Sequence, residues 1–232
     1  MKYKRVMLKL SGGFFKGGFN YGIDQKVMRE VADEILKIVD LGVEVAIEVG
    51  GGNICRGKQV KEGMSRNIGD IIGMLASVMN ALNLREAIGD KHQARALSPI
   101  FAPYIIQLFT PGKAIHYLEE KKIVILGGGT GVEYFSTDSG AVLHALQTKC
   151  DVVLKGTDVD GVYNSDPQKN KNAKKFDKVT YNDAIQRKLD VMDMTAFALA
   201  RDNSLPIVIF NIKKSGSLER VIKGEKIGTL VC

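Results

Sequence analysis

The sequence predicts a single α/β domain, a sandwich in which helices cover a largely parallel sheet. Short apolar runs of strand length alternate with segments of helical period along all 232 residues, the pattern left by parallel strands joined through crossover helices. Three of those runs end in glycine clusters, at Ser11-Gly12-Gly13, Gly50-Gly51-Gly52-Asn53 and Gly127-Gly128-Gly129. Glycines at the carboxyl ends of parallel strands let the backbone come close to a ligand where such sheets bind one. The composition agrees: 45% hydrophobic and 25% charged residues, with no internal repeat and no long linker, fit one globular core.

Lys4 to Leu10 reads as the first strand, Val6, Leu8 and Leu10 alternating with Arg5, Met7 and Lys9. Lys9 therefore stands at the strand's carboxyl end beside a Ser-Gly-Gly turn, with charge and backbone donors suited to a phosphate. After the glycine-rich loop Phe14 to Gly22, Asp24 caps a helix carrying Val27, Val31, Ile35, Ile38 and Val39, and Gly42 stops it. Val43 to Val49 is the second strand and runs straight into the second glycine loop. Asn67 to Ala87 forms a long amphipathic helix with Ile68, Ile71, Ile72, Leu75, Met79 and Leu82 on one stripe, and Asp70 falls off that stripe toward a cleft.

A short strand at Ala94 to Leu97 and a helix opened by Pro111, with Ile115 and Leu118, lead to the strand Ile123 to Leu126. The loop Gly127 to Asp138 follows, and Asp138 is expected to cap a helix carrying Ala141, Val142 and Ala145. A helix N-terminus behind glycines offers unpaired N–H groups and partial positive charge, so this loop is the first candidate for a phosphate pocket. Asp151 to Leu154 is another buried strand, followed by the segment Lys155 to Pro167, in which Tyr163 beside a glycine turn can stack on an aromatic base. The remainder reads as a helix from about Tyr181, another after Asp193-Met194-Thr195, a strand from Pro206 to Phe210, a helix from Leu218 to Ile222 and a final strand from Ile227 to Val231.

Several common sites are excluded. Gly52 to Lys58 fits the P-loop pattern G-x-x-x-x-G-K, but Gln59 follows where Ser or Thr must bind magnesium, and Cys55 stands where the dinucleotide fingerprint needs its last glycine. The aspartates of Asp158 to Asp166 lack EF-hand spacing and its terminal glutamate. Cys55, Cys150 and Cys232 are isolated, as are His92, His116 and His144, so neither a disulfide framework nor a protein-held metal is expected. No apolar run approaches the ~18 residues of a membrane span, and the first residues lack a secretory pattern, which gives a cytoplasmic expectation with no membrane partner. The net charge of +7 suits polyanions, but the basic cluster Lys169 to Lys175 has no interleaved aromatics, so no nucleic-acid partner is expected.

The motifs also coincide as a set. Lys9-Leu10-Ser11-Gly12, Gly50-Gly51-Gly52-Asn53 with Arg56-Gly57, Gly129-Thr130-Gly131, Phe135-Ser136-Thr137-Asp138, Asp160-Gly161-Val162-Tyr163 with Asp166-Pro167, and Val191-Met192-Asp193 occur in the order and at the spacing of bacterial uridylate kinases. Over essentially its whole length the chain resembles that family, part of the amino-acid kinase superfamily. The resemblance implies a three-layer α/β/α sandwich, magnesium-dependent transfer of the ATP γ-phosphoryl group to UMP, a homohexamer, and GTP and UTP as effectors. It also implies that residues up to about 150 mainly bind the acceptor and residues 151–232 mainly bind ATP.

By the same resemblance, ATP meets Lys9, Leu10, Ser11, Gly12, Gly52, Arg56, Thr157, Tyr163 and Asp166. UMP meets Gly51, Asp70, Thr130, Gly131, Val132, Glu133, Tyr134, Phe135, Ser136 and Thr137. Phosphoryl transfer between two anions needs charge neutralisation and alignment more than a general base, because the UMP phosphate is already a nucleophile at neutral pH. Lys9 is accordingly assigned to the transferring group, Asp138 to orienting lysine or magnesium, and Asp193 to a similar organising role. Four positions depart from the family pattern: Gly13 replaces a common glutamate, Ser65 an aspartate, Val132-Glu133 an Asn-Pro pair, and Asp158 a lysine, the last expected to weaken phosphate attraction. Two other readings compete, a kinase of the same superfamily acting on a small carboxylate or carbamate, and a nucleotide-sensing regulatory protein.

Overall fold

The computed structural model describes residues 1–55, 63–89, 92–165, 170, 172–187, 189 and 191–232. Their elements run in the order β1 (Arg5–Leu10), α1 (Gln25–Asp40), β2 (Glu44–Val49), α2 (Arg66–Ile88), β3 (Arg95–Ser98), β4 (Gln107–Leu108), α3 (Pro111–Glu119), β5 (Val124–Leu126) and α4 (Thr137–Gln147). They continue with β6 (Val152–Thr157), β7 (Lys178–Val179), α5 (Tyr181–Gln186), α6 (Met194–Asp202), β8 (Ile207–Asn211), α7 (Ser217–Ile222) and β9 (Thr229–Val231). Nine described strands form one sheet in the order β4-β3-β5-β2-β1-β6-β8-β9-β7, parallel throughout except where β9 runs against β8. The two-residue strands β4 and β7 carry no periodic signal in the sequence and exist through their pairing with β3 and β9.

Strand alternation sorts the central residues into two cores. Val6, Leu8, Leu10, Val45 and Ile47 pack with Ile35 of α1, Leu84 of α2 and Leu218 of α7 on one face. Met7, Ala46, Leu126, Val153 and Ile209 pack with Leu118 of α3, Val142 of α4, Ala184 of α5 and Phe197 of α6 on the other. The result is the expected three-layer α/β/α sandwich, and its central strands β2, β1 and β6 are buried on both faces, as their near-continuous apolar runs require.

Two local expectations are corrected. The stripe on α2 is not its most buried face: Ile68, Leu75 and Met79 are 43%, 48% and 53% exposed and Ile71, Ile72 and Leu82 are half-buried, while Ala76, Ser77, Asn80, Ala81, Leu84 and Ile88 are buried. Close backbone approach chooses that face, since a Cβ on Gly51 would lie 2.4 Å from the Gly73 carbonyl oxygen, so the glycine loop accepts only the small-residue side of α2. Among the described residues α2 alone is long and apolar enough by length and composition to cross a membrane, but it is interrupted by Asp70 and Arg85 and lies against the sheet as part of one layer. Nor does Asp138 cap α4. Ser136 does, its hydroxyl accepting from the N–H groups of Asp138 at 2.9 Å and Ser139 at 3.3 Å, which leaves the Asp138 carboxylate free to turn toward the sheet.

Candidate active site

The carboxyl ends of β1 and β6 carry the centre of the site. Lys9 and Lys155 are directly opposite each other in the parallel ladder, and both point to the α4 side of the sheet. Each is buried, at 5% and 6% exposure. Two ammonium groups side by side repel, and burial removes the water that would screen them. Asp138, from the first turn of α4, bridges them: Lys9 Nζ is 2.8 Å from its Oδ1 and Lys155 Nζ donates to its Oδ2 at 2.5 Å. Lys9 also donates to the Ser11 hydroxyl at 3.1 Å.

Asp138 and Lys155 both shift downward, for different reasons. Burial alone would raise the Asp138 pKa, but the Lys9 and Lys155 charges outweigh it and hold it at about 2. For Lys155, burial and then repulsion from Lys9 prevail over the pull of Asp138, lowering its pKa from 10.5 to about 8. The attraction is divided between two cations, so neither lysine receives a whole counter-charge. This centre is strongly coupled to protonation and ready to accept anionic oxygen.

Around it the glycine loops touch. A Cβ on Gly12 would fall 2.3 Å from the Gly52 nitrogen and 2.5 Å from the Gly50 carbonyl oxygen, so only glycine lets the loops after β1 and β2 close on each other. The second loop is tied to α2 by a buried pair of amides, with Asn80 donating to Asn53 Oδ1 and to the Gly50 carbonyl, both at 2.7 Å. A cavity of about 940 Å³ opens beside Lys155, lined by Ser11, Phe14, Gly156, Thr157, Asp158 and Lys213.

The model of the amino acid kinase family matches residues 4–211, nearly the whole of this arrangement. The chain belongs to the amino acid kinase family. Among its relatives, the uridylate kinases of Bradyrhizobium sp. (strain ORS 278) and Nitrobacter hamburgensis are each 48% identical over 231 residues, 99% of this chain and 97% of theirs. The UMP kinase of Bacillus anthracis superposes with a TM-score of 0.96 at 40% identity, covering 100% of this chain and 96% of that one. The UMP kinase of Ureaplasma parvum superposes at 0.93 and 35% identity, covering 100% and 99%.

In this amino acid kinase the expected acceptor residues form one wall. Asp70 Oδ2 accepts from the backbone N–H of Tyr134 at 2.9 Å and from Arg66 Nε at 2.9 Å, so the loop after β5 is fastened to the start of α2. Tyr134 takes a left-handed φ of 68°, and the Arg66 guanidinium lies over its ring. Thr130 donates to the Val132 carbonyl at 3.1 Å, so the loop at the departure Val132-Glu133 is tied through its backbone. Gly131 packs toward Pro99, Phe135 is exposed, and Thr137 opens α4.

The donor side is more dispersed. Leu10 is in the core on the face opposite Lys9, so only its backbone can reach a nucleotide. Thr157 turns its hydroxyl onto the Val159 carbonyl at 2.7 Å, and the Tyr163 hydroxyl donates to Asp160 at 2.5 Å. Asp158 is exposed at the cavity edge, where solvent screens its charge, and Lys16 and Lys213 line the same cavity. Arg56 and Asp166 lie outside the described residues.

Asp193 does not touch the lysines within ion-pair distance. It caps α6 by accepting from the Ala196 N–H at 2.8 Å, and it accepts from the hydroxyls of Ser136 and Ser139, joining the starts of α4 and α6. Sequence reasoning missed Lys155, although the signal was present: like Lys9, it stands near the carboxyl end of an apolar strand with a glycine shortly after it. Asn80 left no such signal, because a polar residue within a helical pattern is ordinarily solvent-facing.

Proposed function

We propose that this chain transfers the γ-phosphoryl group of ATP to UMP, giving UDP and ADP in pyrimidine nucleotide biosynthesis. The observation that carries the reading is the Lys9-Asp138-Lys155 bridge, set where two glycine loops meet in a chain aligned end to end with uridylate kinases. In this reading ATP occupies the cavity lined by Ser11, Gly156 and Thr157, with Gly12, Gly52 and Tyr163 also on the ATP side and Arg56 and Asp166 assigned to it by resemblance alone. UMP lies against Gly51, Asp70 and residues 130–137. Residues up to about 150 thus mainly hold the acceptor, and residues 151–232 mainly hold ATP.

The residues divide the work by charge. The UMP phosphate attacks in line, needing no base, while Lys9 and Lys155 take up negative charge on the transferring group and Asp138 keeps the two ammonium groups at fixed spacing. Among the described residues there is no group of three potential metal-binding side chains, and both Asp138 oxygens are engaged by lysines. Magnesium therefore fits this site as an ion carried on the nucleotide phosphates, where it would neutralise their oxygens.

The exposed apolar side chains Ile68, Leu75 and Met79 on α2, with Tyr134 and Phe135, support a subunit interface of the kind that the expected homohexamer requires. Regulation by GTP or UTP is supported by a second cavity of about 650 Å³, where Arg85, Arg95 and Tyr104 offer positive charge and an aromatic face. Unpaired Cys55, Cys150 and Cys232 support a cytoplasmic setting. A coupled ADP-release assay with UMP and CMP side by side, and with small carboxylate and carbamate acceptors, tests the reading. UMP-dependent release is expected, and its absence in folded protein with ATP and magnesium would overturn it.

A further inference from the structure

One buried ionisable pair takes no part in this chemistry. Glu48 and His144 are 0% and 2% exposed, and Glu48 Oε2 is 2.9 Å from His144 Nδ1. Glu48 stands opposite Lys9 in the ladder between β1 and β2, on the α4 side of the sheet. Its other oxygen, Oε1, has no hydrogen-bond partner among the described residues and lies 3.3 Å from where a Cβ on Gly140 would sit. Burial raises the Glu48 pKa, against the opposing pull of His144 and Lys9.

Such a pair is costly as a source of stability, because desolvating both groups cancels most of their attraction. What it supplies is geometry. His144 lies in the last turn of α4, the helix whose first turn carries Asp138. The Phe109 ring packs on the imidazole at 4.6 Å between centroids, and Thr148 donates to the His144 carbonyl at 2.6 Å. At the opposite end, Ser136 and Ser139 bind Asp193. α4 is thus pinned at both ends, and a rigid helix pinned twice cannot slide along the sheet. Asp138 must reach two ammonium groups at once, a constraint satisfied only within a few tenths of an ångström.

We infer that Glu48 and His144 act together as a positioning pair that seats α4 on the sheet and so holds Asp138 between Lys9 and Lys155. The inference rests on the phosphotransfer reading above. Neither residue touches substrate, so the pair acts on turnover through Asp138.

The test compares the parent, Glu48→Gln, and the double variant Glu48→Leu with His144→Leu, by thermal unfolding and by kcat and KM for UMP and ATP. With kcat expressed per folded molecule, the folded fraction being taken from the unfolding curves, Glu48→Gln should lower kcat by more than about threefold and leave both KM values within about twofold. A folded Glu48→Gln protein with kcat within about threefold of the parent overturns the inference. Should Glu48→Gln fail to fold, the double variant decides, since two apolar side chains can repack without leaving a buried polar orphan. A fall in kcat of more than about threefold in the folded double variant then supports the pair as the seat of Asp138, and turnover within about threefold of the parent overturns it. A parent inactive on UMP would instead sink the phosphotransfer reading, so the two failures are distinct.

Discussion

Lys155 should impose an alkaline limit on turnover that an ordinary lysine would not. Its pKa is lowered to about 8 by burial and by Lys9. Above that value the free enzyme loses the charge proposed to receive the transferring phosphoryl group, so kcat/KM should fall roughly tenfold per pH unit. By pH 9 the loss should be about tenfold and by pH 10 about a hundredfold. Bound phosphates act in the opposite direction. A negative charge about 4 Å from the ammonium at an effective dielectric constant of about 20 contributes about 4 kcal/mol, or roughly three pH units. The limb should therefore move upward in kcat, which reports the complex with both substrates.

Initial rates of UMP-dependent ADP release, measured at saturating and limiting substrate from about pH 6 to 10, separate the two profiles. Cys150 and Tyr181, whose pKa values burial pushes up to about 12, do not titrate in this window. Lys155→Arg keeps its charge throughout and should abolish the limb even if turnover falls. A kcat/KM profile flat to pH 10, or the same limb in Lys155→Arg, would refute the reasoning.

Asp138→Asn should lower kcat by about a hundredfold or more with a smaller change in KM, because two buried lysines lose their shared counter-charge; parent-like turnover would remove Asp138 from the site. The same aspartate contributes to stability with a definite pH sign: its folded pKa, about 2, lies below its ordinary 3.8, so the contribution is present above pH 3.8 and lost as pH falls through about 2. Acid unfolding curves of parent and Asp138→Asn should therefore converge toward pH 2, and a constant gap would contradict the ion pair. Thr137→Ala should raise KM for UMP more than KM for ATP, and the reverse would mean that the two nucleotides are assigned to the wrong sides. Asn80→Ala should cost about 1–3 kcal/mol in chemical denaturation by orphaning Asn53 and the Gly50 carbonyl, while an unchanged midpoint would show that the amide pair does not hold the loop.

Local chemistry by itself determined much of this protein. Apolar runs ending in glycine marked β1, β2, β5 and the phosphate-facing edge, Asp24 marked the start of α1, and the Lys9 turn marked the centre of the site, because strand period, caps and glycine turns depend on neighbours in sequence. Resemblance added the acceptor and donor assignments. Only the tertiary structure decided what the side chains at those places do. Asp138, a plausible helix cap in sequence, is freed by Ser136 to bridge Lys9 and Lys155, residues far apart in the chain and adjacent only through sheet register. Ile68, Leu75 and Met79 of the α2 stripe stand in solvent because backbone contact with the glycine loops outranks hydrophobicity in choosing the most buried side. Glu48 and His144 each read as isolated residues, and nothing local could pair them. Burial and long-range register act between elements, so they become visible only when the sheet and helices are assembled.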